Sequence, residues 1–252
     1  MEPLLEVKHL TKTFKQNGRE EAAAVDNLSF CLYPGETLGI VGESGSGKST
    51  AAKAIARLID VTDGEIFLQG ENITHLRGRA LRRIYRKYQM VFQSPAGSFD
   101  PRRTLGDGIG ESLKNTGLSG KERKKRVEEL LFQCGLSPEY ARRYPHEVSG
   151  GQCQRAAIAR ALAIEPELLI CDEATSSLDV TVQKQVMELL MRLGEEKGMA
   201  FLFICHDLAL VQKFCSRILV MQAGRLVESG KTEDVILHPK EEYTKRLIDA
   251  VL

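Results

Sequence analysis

No apolar run in this 252-residue chain approaches the roughly 20 residues that a bilayer-crossing helix needs. That excludes a membrane-spanning helix from the reading. None of the six cysteines is spaced C-x-x-C, which argues against a zinc site or a dithiol redox couple. Cys171 and Cys205 end apolar runs and read as small core residues with reduced thiols. An excess of one charge is missing too. Thirty-five Lys and Arg stand against 34 Asp and Glu, for a formal charge of +1. That balance argues against a strongly basic nucleic-acid binder, so no nucleic-acid partner is expected. The start, Met1-Glu2-Pro3-Leu4-Leu5-Glu6, carries acids and lacks a signal-peptide pattern. The expectation is a cytosolic chain that reaches a membrane only through a partner. Tryptophan is absent, which says nothing about function, and there is no internal repeat or low-complexity segment. Apolar residues at 42% and charged residues at 27% are ordinary for a globular protein with a substantial core.

What is present centres on Gly42-Glu43-Ser44-Gly45-Ser46-Gly47-Lys48-Ser49-Thr50. An apolar run at 37–41 precedes it and an Ala-rich segment follows. Strand, glycine loop and helix in that order, with the spacing G-x-x-x-x-G-K-[ST], form a phosphate-binding loop. Glycines let successive backbone N–H groups converge on one anion, and the helix start adds its positive end. Lys48 is placed to reach the β- and γ-phosphates, and the Ser49 hydroxyl to hold Mg²⁺.

Two further sites follow. Leu168-Leu169-Ile170-Cys171 is a fully apolar strand that runs into Asp172-Glu173. An acid at that strand end suits a carboxylate holding Mg²⁺ through water, and Glu173 could polarise an attacking water. Ser149-Gly150-Gly151-Gln152 precedes a helical stretch and offers a second anion site at a helix N-terminus; a plain helix cap is the simpler reading.

Strands are expected within 4–14, 22–32, 37–41, 65–68, 88–92, 168–171, 200–205, 217–221 and 225–228. The glycine-loop helix is read as running to about residue 58, with further helices at 104–115, 121–134, 152–164, 181–193 and 232–252. Residues 16–21 read as a hairpin loop. Strands alternating with helices, several of them buried on both faces, imply α/β with a mostly parallel sheet. The 94–164 stretch reads as a helical subdomain inserted into a core made of 1–93 and 165–252. The basic runs, Arg77, Arg79, Arg82, Arg83, Arg86 and Lys87, and then 121–126, suit a solvated helix face or contact with phosphates.

The 42–50 loop, Gln93, Val148-Ser149-Gly150-Gly151-Gln152, the 168–173 strand end, Ser177-Leu178-Asp179 and His206 occur in that order. Together they resemble the nucleotide-binding domain of ATP-binding-cassette (ABC) proteins over nearly the whole chain. The resemblance implies one P-loop NTPase domain with an N-terminal antiparallel β subdomain and an inserted helical subdomain, binding ATP and Mg²⁺. It implies that two such domains pack head to tail, so that the 149–151 loop of one covers ATP on the phosphate loop of the other. Glu173 would then be the general base and His206 a contact to the γ-phosphate. Gln93 would sit between Mg²⁺, the water and the helical subdomain. Asp179 would lie at the dimer interface. Phe14 matches the aromatic that stacks on adenine, unless it is only a strand-end apolar residue.

A finer likeness is carried by Ser98-Phe99-Asp100-Pro101-Arg102, Thr104-Leu105-Gly106, Asp179-Val180-Thr181-Val182-Gln183, and His238-Pro239 followed by Tyr243-Thr244. These resemble the oligopeptide/dipeptide/nickel importer subfamily. The implied partners are a second ATPase subunit (a paralogue or another copy), two transmembrane permease subunits and, indirectly, an extracytoplasmic solute-binding protein. The implied place is peripheral, on the cytoplasmic face of the cell membrane. The competing function is a soluble ABC ATPase accessory to an enzyme complex such as carbon–phosphorus lyase. Val148 in place of Leu, Ala174 in place of Pro and Cys205 in place of Thr depart from the commoner family pattern without removing a catalytic group.

Overall fold

In the computed structural model, residues 1–16, 19–20, 23–94, 96–174, 178 and 180–250 are described. The elements begin with β1 (Leu5–Lys12), β2 (Lys15–Gln16), β3 (Arg19–Glu20), β4 (Val25–Leu32) and β5 (Thr37–Val41). After α1 (Lys48–Ile55) come β6 (Asp63–Leu68), β7 (Glu71–Asn72), α2 (Gly78–Ile84) and β8 (Tyr88–Val91). The helices α3 (Leu105–Gly110), α4 (Gly120–Gln133) and α5 (Gly150–Leu162) then precede β9 (Leu168–Asp172). The chain closes with α6 (Val180–Lys197), β10 (Ala200–Ile204), α7 (Leu208–Phe214), β11 (Arg217–Gln222), β12 (Arg225–Lys231), α8 (Thr232–Leu237) and α9 (Glu242–Asp249).

The strands β5, β9 and β10 are buried at every position. Strands without a polar face need cover on both sides, which places them inside a parallel sheet. The six-stranded sheet runs β12-β11-β5-β10-β9-β8, parallel throughout except for β12, which turns back antiparallel on β11. The apolar alternation of β1 and β4 instead builds a four-stranded antiparallel sheet, β4-β1-β6-β7. The fold is thus the α/β class expected, with both the parallel core and the antiparallel N-terminal sheet.

Side-chain alternation along the parallel strands divides the core in two. Leu38, Ile40, Leu168, Ile170, Leu202 and Ile204 point to the face shared with α1 and the antiparallel sheet. Val41, Leu169, Cys171, Phe201 and Phe203 point to the opposite face, where α3 to α6 pack. The glycine-loop helix and the helices between β8 and β9 are therefore anchored on opposite sides of one sheet.

Boundaries differ from expectation at several places. The glycine-loop helix stops at Ile55, and Arg57 adopts a left-handed φ of 53° to turn the chain. The 104–115 stretch is α3 followed by a separate 3-10 turn. The C-terminal stretch is two helices, α8 and α9, with Pro239 in the break. Residues 15–16 and 19–20 pair as a small ladder. In the first basic run Arg77 bridges Asp60 and Arg83 bridges Glu71, both exposed, as a solvated face would have it.

Gly194 on α6 generates a stability prediction. A Cβ there would lie 2.4 Å from the Phe201 ring, which is fully buried and stacked on Phe203. Gly194→Ala gains roughly 1 kcal/mol of helix propensity and forces that ring to move. The expected outcome is a net loss of roughly 1–2 kcal/mol in urea denaturation.

Candidate functional site

The 42–50 loop leaves the carboxyl end of β5 and runs into α1. Lys48 is almost wholly buried, and its Nζ donates to the carbonyls of Gly42 (2.7 Å) and Glu43 (2.7 Å) and to Ser46 Oγ (3.3 Å). Burial pushes the ammonium's pKa below its ordinary value, and Glu173, Cys205, Asp172 and Glu43 oppose the shift. Two glycines are dictated by close approach. A Cβ on Gly42 (φ 149°) would meet the Met221 carbonyl at 2.1 Å, and one on Gly47 (φ 99°) the Ala24 carbonyl at 2.1 Å. Ser44 and Gly45 are exposed, Ser46 is buried, and Ser49 and Thr50 on the first turn of α1 are half-buried. Gly47 sits in the left-handed conformation at the N-cap of α1 and contributes no side-chain acceptor there.

The acids arrive on β9. Asp172, buried at the strand end, accepts a hydrogen bond from Ser49 Oγ at 2.7 Å. This pair of hard oxygens suits Mg²⁺, which takes few protein ligands and completes its shell with phosphate oxygens and water. Among the described residues no cluster of three His, Cys, Asp or Glu side chains could hold a metal by itself. Glu173 follows at φ 47°, its N–H bonded to the Ile204 carbonyl. Its Oε2 accepts from Gln93 Nε2 at 2.6 Å. Strand register explains the meeting. Val91 of β8 faces Cys171 of β9, so two residues further on Gln93 falls opposite Glu173. By the same count Ile204 of β10 faces Ile40, and exposed His206 lies level with Gly42. Phosphate loop, Asp172, Glu173, Gln93 and His206 therefore lie along one carboxyl edge, where ligands of open parallel sheets bind.

The remaining expected residues lie elsewhere. Ser149 caps α5 in a reciprocal box: its Oγ accepts from Gln152 N–H, and its own N–H donates to Gln152 Oε1. Gln152 also donates to Tyr140 Oη at 2.8 Å. Ser149 and Gly150 are exposed, and a Cβ on Gly151 would meet Val182 at 2.6 Å. Phe14 lies two residues beyond β1, 45% exposed, with Lys12 Nζ 5.0 Å from its ring centroid. Lys12 O accepts from Ala24 N–H, and Ala24 O is the carbonyl against Gly47, so that strand end flanks the loop. Asp179 and Ser177 lie outside the described residues.

The sequence model of the ABC transporter family matches residues 25–176. The chain belongs to the ABC transporter family. It is 49% identical to the oligopeptide transport ATP-binding protein OppF of Bacillus subtilis (strain 168), over 99% of this chain and 83% of that protein. It is 46% identical to the glutathione import ATP-binding protein GsiA of Pectobacterium atrosepticum, over 99% of this chain. It spans only 41% of GsiA's length. Among solved structures, the dimeric, post-hydrolysis ATP-binding cassette MJ0796 bound to ADP and Pi superposes with a TM-score of 0.83. That match is 33% identical and covers 90% of this chain and 98% of the cassette. CbiO1 of Clostridium perfringens, part of the ABC transporter complex cbiONQ, gives 0.82 at 26% identity, covering 100% of this chain and 96% of its own.

As an ABC ATPase, this chain has one contact that its sequence conceals. Tyr243 on α9 accepts a hydrogen bond at its hydroxyl from the N–H of Glu43, 200 residues away (3.1 Å). In the sequence this tyrosine belongs only to the subfamily likeness. Nothing in local periodicity links it to the loop, because the link is made by packing α9 on β12.

The glycine contacts generate the prediction here. Gly47→Ala drives a methyl into a backbone carbonyl that cannot yield and disfavours a left-handed φ besides. ATP binding is expected to be lost in equilibrium titration, whereas Gly45→Ala carries the φ strain alone (φ 81°), its Cβ meeting nothing within 4 Å, and loses less.

Proposed function

We propose that this ABC ATPase is the motor subunit of an importer for short peptides, working as a head-to-tail pair of ATPase domains beneath two permease subunits. The single observation that carries the reading is the 49% identity with OppF across nearly the whole chain. The names of its relatives, oligopeptide transport for OppF and glutathione import for GsiA, support a peptide cargo ahead of nickel or a metal–chelator complex. No observation favours the enzyme-complex alternative. Residues 1–252 are read as one nucleotide-binding domain with 94–164 inserted. Its place is the cytoplasmic face of the membrane, with a solute-binding protein acting through the permeases.

The roles follow from the geometry. Lys48 has three donors, and the longest of its contacts, to Ser46 Oγ, is the one phosphate oxygens would replace. Loop N–H groups and the start of α1 would hold the β-phosphate. Ser49 and Asp172 would hold Mg²⁺, whose charge offsets that of the phosphates. Gln93 keeps the Glu173 carboxylate turned to the site, where it would accept the proton of the attacking water. His206, level with the loop, would steady the γ-phosphate. Phe14, beside the loop and exposed, would stack on adenine.

A second chain completes the site in this reading. Ser149, Gly150, Gly151 and Gln152 open α5, which belongs to the apolar cluster on the sheet face opposite α1. The N–H groups of Gly150 and Gly151, which the Ser149–Gln152 box does not use, suit an anion carried by another copy or by a paralogue. Asp179 would lie in the interface so formed.

Glu173→Gln is expected to keep ATP affinity and to cut phosphate release by on the order of 10²-fold or more, the usual worth of a positioned base. Normal turnover would refute the assignment. Co-expressed with cognate permease subunits, the chain is expected in the membrane fraction, and without them in the soluble fraction. A chain that stays soluble with its permeases present would end the transporter reading.

A further inference from the structure

We infer that Tyr243 is a positioning residue for the phosphate loop, through which the C-terminal helix sets the affinity for nucleotide. The inference rests on reading 42–50 as the phosphate loop. The peptide between Gly42 and Glu43 is a rigid plane whose C=O and N–H point to opposite sides. Its carbonyl accepts Lys48 Nζ (2.7 Å), and its N–H donates to Tyr243 Oη (3.1 Å). Fixing one end of that plane fixes the other. Gly42 has no side chain to resist rotation, so the plane depends on its hydrogen-bond partners and on the close packing against Met221.

Tyr243 is itself held firmly. It is 6% exposed, on the first turns of α9, in the same apolar cluster as Val235, Ile236 and Leu247. The start of α9 is tied to the sheet by Glu228 of β12. Its carboxylate accepts the N–H of Lys240 at Oε1 (3.0 Å) and of Glu241 at Oε2 (3.2 Å), immediately before the helix. A continuous route therefore runs from β12 through Glu228, α9 and the Tyr243 hydroxyl to the peptide that carries one of the lysine's acceptors. A helix packed far along the chain from the loop supplies its orientation. Any partner or modification that displaces α9 would reach the nucleotide site by this route.

Tyr243→Phe tests this directly, because it removes one hydroxyl and keeps the ring that fills the core. In the full-length chain, the Kd for ATP and the KM are expected to rise roughly 3- to 10-fold, the worth of one hydrogen bond, while kcat holds. A merely structural role would lower Tm and leave Kd unchanged. Glu228→Gln, which keeps one of two acceptor oxygens, should weaken binding less. In the double variant the losses should not add, since both act through one hydroxyl. Additive losses would overturn the route through α9. Lys48→Ala is the control. If it abolishes binding while Tyr243→Phe binds as wild type, the phosphate-loop reading stands and the Tyr243 inference falls. Unchanged ATP affinity in Lys48→Ala would remove both.

Discussion

A buried ammonium shapes this molecule. Lys48 is only 4% exposed, and a cation taken out of water that far must be given acceptors or it costs several kcal/mol. The loop meets that demand with its own backbone, curling until the carbonyls of Gly42 and Glu43 converge on Nζ. The curl leaves no room for side chains. Gly42 presses on Met221 of β11, and Gly47 presses on Ala24 just before β4. Gly224, in the turn between β11 and β12, donates its N–H to Ser46 O, and its own carbonyl takes the N–H of Asp26. Parallel core, antiparallel sheet and β11–β12 turn thus share one point of contact, and that point is the loop around the lysine.

The two-faced sheet bears on the proposed pairing of two chains around one nucleotide. The strands β5, β9 and β10 are buried on both faces, and the N-terminal ends of α1 and α5 are secured by different halves of the core. The α1 end is built into the sheet edge with Asp172 and Glu173. The α5 end is capped, well ordered by Gln152 and Tyr140, and turned outward. A second copy offers the simplest way to bring an α5 end onto an α1 end, and the dimeric form of the similar MJ0796 cassette is in keeping with that arrangement.

How far this was legible in the sequence depends on what kind of information each feature needs. The glycine loop, the apolar strand before Asp172 and the Ser149 cap are local patterns, and each could be read without a fold. The split of 232–252 at Pro239 was also local, yet the helical spacing of Val235, Ile236, Tyr243 and Leu247 concealed it. The Gln93–Glu173 hydrogen bond required knowing that β8 lies next to β9 in a register pairing Val91 with Cys171. Strand order is a tertiary fact, and only the family likeness could stand in for it. Tyr243 lay beyond both, since its meaning comes from a helix docked on β12 and a loop 200 residues earlier.

Strand geometry then accounts for the two adjacent acids having different partners. Residues 169 and 171 of β9 face the apolar side that packs α3 to α6, so an extended residue 173 would carry its carboxylate toward that side, where charge is costly. Instead the backbone at Glu173 swings to φ 47°, a conformation that costs a non-glycine residue roughly 1 kcal/mol or more. The N–H of Glu173 is caught by the Ile204 carbonyl of β10, which holds the swing in place. Asp172, still in the strand, keeps Ser49, while Glu173 is delivered to Gln93 on the far neighbour. Strain at this one residue thus parts the carboxylate that meets Ser49 from the one that meets Gln93. A glycine would adopt the turn more cheaply, but only an acid there could serve as the base proposed for hydrolysis.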